Sequence, residues 1–194
     1  PDLAPYISMA LTPMVLTGRL LKKEHPGCKV VFIGPCAAKK LEASRTEIRS
    51  DVDFVLTFEE VMGMFTAKNI DFSALEKSDD FHDASADGRG FAASGGVAQA
   101  VVNCIKELEP DCEVKVANAE GLAACRELLS DAAKGKYDGY LLEGMACPGG
   151  CVGGAGTMQG PTKARGLVNI TMKKSEKKHS LDSEYREYLS MLEE

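Results

Sequence analysis

A chain of 194 residues with 44% apolar and 27% charged side chains has material for one large domain or two small lobes with a real core. A formal net charge of −6 gives nucleic acid no electrostatic reason to bind, and no apolar run approaches the ~20 residues that a membrane-spanning helix needs. No signal peptide is legible, and the chain starts at Pro1 rather than Met, so it is expected to be a fragment with residues missing upstream.

Residues 1–24 read as helical, apolar along one face of SMALTPMVLTGRLLKKEH, with Pro13 breaking or starting the helix. CKVVFIG, 28–34, is a run of β-branched and aromatic residues that predicts a buried strand, stopping at Gly34-Pro35-Cys36. VDFVLT, 52–57, predicts a second strand, and FEEVMGMFTAKN, 58–69, a helix capped by Thr57. The stretch 71–90 is rich in Asp, Ser and Gly and predicts a loop. GGVAQAVVNCIKELE, 95–109, predicts a helix with Ser94 as its cap; EVKVANA, 113–119, predicts a strand. GLAACRELLSDAAKGK, 121–136, predicts a helix ending near Gly135, and YDGYLLEGMAC, 137–147, a further strand. Beyond Gly156 the pattern weakens, and the charged stretch from Lys173 to Glu194 predicts a solvated helix. Strands alternating with helices place the chain in the α/β class, with largely parallel sheets flanked by helices. FIG-PC and LLEGMA-C both set a cysteine at the carboxyl end of a strand, the edge where open α/β sheets bind ligands. Cys36, Cys147 and Cys151 are therefore expected in one place.

Seven cysteines, at 28, 36, 104, 112, 125, 147 and 151, are not the dense even framework of a small secreted domain. They imply a reducing, cytoplasmic compartment with thiols buried or bound to metal. In EGMACPGGCVGGAG, Glu143 to Gly156, two thiols lie four residues apart among residues with almost no side chains. Glycines leave bare N–H groups able to approach a bulky, anionic, sulfur-rich group such as an iron–sulfur cluster. Zinc normally takes CxxC pairs or His partners, whereas the spacing here is C-x3-C, and His82 and His179 lie in loop and tail contexts. Cys28, Cys104, Cys112 and Cys125 read as small core hydrophobes. On residue type alone, Lys39 reads as a surface lysine, Glu42 and Glu143 as surface ion pairs, and Ser8 and Ser94 as helix caps.

EGMACPGGCVGGAG resembles the third signature of the [FeFe]-hydrogenase catalytic domain, and GPCAAKKLE, Gly34 to Glu42, resembles the second. RSDVDFVLTFEEV and GFAASGGVAQAV are similar to stretches that follow the second signature, and PDLAPYISMALTP to text just downstream of the first. The resemblance spans roughly residues 1–160. It implies a hydrogenase-domain fragment over 1–165, with a charged tail or linker over 166–194. The family's cofactor, the H-cluster, is a 4Fe-4S cubane joined to a di-iron unit carrying CO and CN. The resemblance puts Cys36, Cys147 and Cys151 on three of the four cubane ligands, with Cys151 bridging to the di-iron unit. The fourth ligand and the proton-transferring cysteine would lie upstream of Pro1. It further implies that Lys39 hydrogen-bonds a cyanide, that Glu42 balances its charge, and that Pro35 and Met145 lie by the cofactor. Ser8 aligns with a proton-relay hydroxyl, and Phe91, Gly95 and Gly96 with a segment near the cubane.

The implied reaction interconverts H2 with protons and electrons, passed to ferredoxin or another electron carrier. Two departures stand out. Gly34 replaces the family's usual Met, which is expected to open the distal pocket, and the C-terminal segment lacks the usual tail. Both resemble divergent sensory hydrogenases fused to a signalling domain, an alternative with little turnover. A non-catalytic iron–sulfur assembly protein of the nuclear prelamin recognition factor type is a further alternative, opposed by Pro35, Lys39 and Glu42. A zinc domain is the last.

Overall fold

The computed structural model of the chain describes residues 3–76 and 83–192. His82 and the part of the predicted 71–90 loop over 77–82 lie outside the described residues. The chain divides into two units. Residues 8–77, 154–158 and 187–194 form the first, and residues 1–7, 78–153 and 159–186 the second.

In the first unit, β1 (Val31–Gly34) and β2 (Phe54–Thr57) pair in parallel, Val31 opposite Phe54 and Gly34 opposite Thr57. Side chains alternate across a strand, so Phe32 and Val55 turn to the core while Val31 and Phe54 stay exposed. The core joins Met14 and Val15 of α1 (Pro13–Glu24) to Val52 and Val55. Pro13 stands at the first position of α1, where its missing N–H costs nothing. It also holds Thr12 extended, at ψ 152°. The helix expected over 1–24 is thereby corrected: Ala4–Tyr6 forms one 3-10 turn, and the α-helix begins only at Pro13. A short helix, α2 (Ala38–Ala43), joins β1 to β2. Thr57 caps α3 (Phe58–Ala67) as predicted, its hydroxyl accepting from Glu60 N–H at 3.2 Å while the Glu60 carboxylate accepts from Thr57 N–H at 2.8 Å.

In the second unit, β3 (Lys115–Glu120) and β4 (Tyr140–Met145) pair in parallel from Lys115–Tyr140 to Glu120–Met145. Three helices of this unit are α4 (Ala86–Gly90), α5 (Gly96–Leu108) and α6 (Leu122–Ala132), the last linking β3 to β4. The α/β class with parallel sheets stands: each strand pairs only with the strand joined to it by one crossover, giving two separate two-stranded parallel ladders among the described residues.

Further corrections concern α4, α5 and the tail. α4 lies inside the predicted loop; Ser85 supplies the acceptor that starts it, taking the Gly88 N–H at 3.0 Å. Gly95, at φ +86°, is the N-terminal cap of α5, and Ser94 is not. A seventh helix, α7 (Pro161–Lys174), follows the cysteine motif. Among the described residues the charged tail is not one solvated helix: Lys173 and Lys174 end α7, and 3-10 pieces follow at Ser180–Asp182 and Glu184–Leu192. Its backbone is engaged, since Ala86 and Asp87 N–H donate to the Lys177 and Lys178 carbonyls at 2.9 and 3.1 Å. Among the described residues no helix is long and apolar enough to cross a membrane.

A Cβ at Gly96 would lie 1.9 Å from the Gly90 carbonyl oxygen, a backbone atom that cannot swing away. Gly166, exposed in α7, has nothing described within 4 Å of such an atom. Gly96→Ala is expected to lower stability by about 3 kcal/mol and Gly166→Ala to raise it by roughly 0.5–1 kcal/mol. Urea midpoints of the two variants check both signs.

Candidate functional site

The first group of candidate residues follows β1. Pro35 cannot continue the ladder as a donor, so the chain leaves the sheet at Gly34 and Cys36 stands at the carboxyl end of the strand. α2 then places Lys39 and Glu42 three residues apart on one face. Their charged groups meet at 2.6 Å, with side chains 23% and 18% exposed. The lysine is therefore not the solvated one that its residue type suggests. Its neighbour Lys40 is also engaged, donating to the Val55 carbonyl at 3.0 Å and to Glu60 at 2.8 Å.

The second oxygen of Glu42 accepts from the Thr12 hydroxyl. Burial opposes ionisation of Glu42, but the hydrogen bonds from Lys39 and Thr12 and the charges of Lys39 and Arg45 outweigh it. Together they hold its carboxyl below the usual carboxylate range. The bonded arrangement thus contributes stability above the ordinary carboxylate range and loses it as pH falls through the lowered value.

Gly34 corrects an expectation. A Cβ there would meet the Phe32 ring at 2.7 Å. Phe32 lies two residues back on the same face, and its ring covers the space in which a side chain at 34 would start. Gly34 does not open a void at this point; an aromatic ring fills it. Gly156 lies five residues after Cys151 in sequence and is packed against the same strand ends. Its N–H donates to the Pro35 carbonyl at 3.0 Å, its carbonyl accepts from Glu59 N–H at 3.3 Å, and a Cβ would lie 2.4 Å from Thr57 Cβ.

The second group follows β4 in the second unit. Glu143, 8% exposed, accepts from the N–H of Gly95 at 2.6 Å and of Ala98 at 2.7 Å. It is not a surface ion pair. It takes up amides left unpaired at the start of α5, where the helix dipole favours an anion. Met145 closes β4, its carbonyl accepting from Gly121 N–H at 2.8 Å and from Cys125 Sγ at 3.5 Å. Cys147 and Cys151 then sit half-buried on one loop. Gly149 and Gly150, at φ +82° and +90°, reverse the chain between them, and Gly150 N–H donates to the Cys147 carbonyl at 3.0 Å.

The loop is pinned to the turn before α5, with Ser94 N–H on the Gly149 carbonyl at 3.0 Å and Val152 N–H on the Ala92 carbonyl at 2.9 Å. A Cβ at Gly150 would lie 2.4 Å from Ser94 N, and one at Gly153 2.1 Å from Pro148 O. These two glycines serve close backbone approach within the protein, where their residue type had suggested approach to a cofactor. Phe91 is half-buried at the end of α4 in the same unit.

The structure brings Lys39 to Glu42 and sets Cys147 and Cys151 on one loop. Ser8 is exposed, and its hydroxyl accepts from the nearby Ala10 N–H at 3.3 Å. No cysteine among the seven is in a disulfide. Among the described residues no three His, Cys, Asp or Glu side chains are gathered as a metal site. The roles of Thr12 and Phe32 and the true partners of Glu143 are not legible in the sequence. The one signal for Thr12 is a cap-type residue directly before a helix-starting proline.

Gly34→Met is expected to cost about 1–3 kcal/mol by crowding Phe32. Adding Phe32→Ala should relieve the crowding, giving a coupling of about 1 kcal/mol or more in a double-mutant cycle of chemical denaturation. Glu143→Gln turns an NH2 toward a buried amide N–H. It is expected to lower stability by about 2 kcal/mol, which an unchanged urea midpoint would contradict.

Residues 1–155 match the family described as iron only hydrogenase large subunit, C-terminal domain. The chain is 30% identical over 197 residues to the periplasmic [Fe] hydrogenase large subunit of Nitratidesulfovibrio vulgaris, covering 80% of this chain and 47% of that protein. It is 26% identical to iron hydrogenase 1 of Clostridium pasteurianum, covering 90% of this chain and 37% of that one. A shorter match, 42% over 74 residues, joins 38% of the chain to 16% of the cytosolic Fe-S cluster assembly factor NAR1 of Kluyveromyces lactis. The chain thus spans under half the length of these curated relatives. A solved structure of a HydA1 [FeFe]-hydrogenase variant from Chlamydomonas reinhardtii shares the fold, at a TM-score of 0.74 and 21% identity over 98% of this chain and 67% of that one. The chain belongs to this family of iron-only hydrogenase C-terminal domains, and its relatives include both hydrogenases and iron–sulfur assembly factors.

Proposed function

We propose that the chain is part of an [FeFe]-hydrogenase domain that interconverts H2 with protons and electrons, in the cytoplasm, with ferredoxin or another electron carrier as partner. The observation that most supports this is the position of both cysteine motifs, each leaving the carboxyl end of a parallel strand within a βαβ unit. Cys36, Cys147 and Cys151 are the thiolates that would hold a 4Fe-4S cubane, and soft sulfur donors on reversing, glycine-bearing loops fit such a group. When bound, the H-cluster would supply the iron at which H2 is formed or split and would pass the two electrons from or to the electron carrier.

The chain's own residues do the rest. Lys39 holds a partly sheltered ammonium close to Cys36 in sequence, balanced by Glu42, and would donate to a cyanide of the cofactor. Pro35 fixes the departure of Cys36 from the sheet. Met145 offers a soft, adaptable side chain at the end of β4. Ser8 is proposed as a proton-relay hydroxyl and Phe91 as a wall of the cubane site.

The match to NAR1 favours a second reading, a non-catalytic iron–sulfur assembly domain. The paired Lys39 and Glu42 support the first reading, since a site holding a cubane alone would have no cyanide for an ammonium to meet. In the full-length protein, matured in vivo, Lys39→Ala is expected to lose the infrared bands of CO and CN while cubane absorbance and iron at the cubane level remain. Bands at wild-type strength in that variant would refute the assigned role. Wild-type protein that carries a cubane and shows no such bands would favour the assembly reading.

A further inference from the structure

Thr12 occupies the N-cap position of α1, with the extended backbone that position requires, yet its side chain caps nothing in its own helix. Its hydroxyl donates instead to Glu42, thirty positions further along. The carboxylate so held presents its other oxygen to Lys39 Nζ at 2.6 Å. Leu11, Thr12, Val15, Glu42, Arg45 and Ile48 line the same open cleft, of about 380 Å³. Arg45 is thus a second cation by which a free-swinging Glu42 could be drawn off.

We propose that Thr12 is a positioning residue. By holding one oxygen of Glu42 it keeps the other aimed at Lys39, and so sets where the lysine ammonium stands. The step from the ammonium to a cofactor ligand rests on the reading given under Proposed function; the placement of Lys39 does not.

A hydroxyl with one proton already committed restricts the carboxylate in a way a cap would not. A glutamate has three rotatable torsions to fix, and a lysine four. One contact to Lys39 leaves most of that freedom. A second contact to a threonine, itself stiff about χ1, removes much of it on the glutamate side. Loss of the hydroxyl should therefore loosen the pair without changing any charge.

The test compares Thr12→Val, nearly the same shape without the hydroxyl, with Thr12→Ser, which keeps it. On this chain, acetylation of Lys39 read by mass spectrometry against Lys40 as internal reference should rise about threefold in Thr12→Val, the loss of one modest hydrogen bond. It should stay at the wild-type rate in Thr12→Ser. The Glu42 carboxyl, followed by carbon NMR, should titrate higher in Thr12→Val only. In a Glu42→Gln background the Thr12→Val substitution should have no further effect on Lys39. Unchanged acetylation and titration in Thr12→Val, or an equal effect with Glu42→Gln present, would overturn the proposal. If Thr12→Val does not fold, Thr12→Ala in the same cycle decides the question by the same readings. In the matured full-length protein, cyanide bands should shift in Thr12→Val and not in Thr12→Ser. Loosened Lys39 with unshifted cyanide bands would leave the positioning role intact and refute the assignment of Lys39 to cyanide.

Discussion

Glu143 is a carboxylate sheltered from water with two backbone amides as its partners, and the path of the chain to Cys147 and Cys151 depends on it. Helix α5 begins with amides that its own turns cannot use, and Gly95 brings no side chain to take them. The acceptor comes from the middle of β4, two residues before Met145 ends the strand. One contact therefore does two things. It satisfies the start of a thirteen-residue helix, and it fixes that start against the strand that leads into the cysteine loop. The hydrogen bonds of Ser94 and Val152 to and from the loop then follow, because the turn they belong to is already in place.

The first unit solves a similar problem with opposite charges. Lys39 and Glu42 lie on a six-residue helix that supplies few backbone contacts of its own. An isolated surface pair of this spacing contributes about 0.3–0.5 kcal/mol. Its interest is geometric rather than energetic. Thr12 holds the carboxylate from another segment, so the ammonium inherits a position set by α1 as well as α2. An ammonium held this way is placed before any ligand arrives, which is what a recognition site needs.

What could be read from the residues, and what could not, divides along a physical line. Strands with dense β-branched and aromatic runs, such as VVFIG and DFVLT, and helices with a strong apolar face were legible, because their signal lies within a few neighbours. So was the Thr57 cap, whose partner Glu60 is three residues away. α4 was hidden, because Ser, Asp and Gly read as a loop unless the Lys177 and Lys178 carbonyls that receive its first amides are known. α7 was hidden behind a weak, largely exposed pattern. In the candidate site, motif text points to the cysteines and Lys39 as proposed ligands and partners, whereas the contacts of Thr12, Phe32 and Glu143 act across 2 to 48 positions, and only folding shows the long-range pairs.

The glycines of EGMACPGGCVGGAG show that division most sharply. A segment so poor in side chains invites the thought that something outside the protein fills the space. Gly150 and Gly153 have another reason: main chain lies where their Cβ atoms would be, at Ser94 and Pro148. Gly156 is likewise closed off by Thr57. Gly149 differs, since its nearest neighbours are the side-chain atoms of Pro161 and Val152 at 3.2 and 3.6 Å, and its constraint is the left-handed backbone itself. Steric need of the chain and a left-handed backbone are thus separate causes of glycine: Gly153 shows the first, Gly149 the second and Gly150 both. Glycine content points to a cofactor only through those glycines whose missing Cβ the protein does not already occupy.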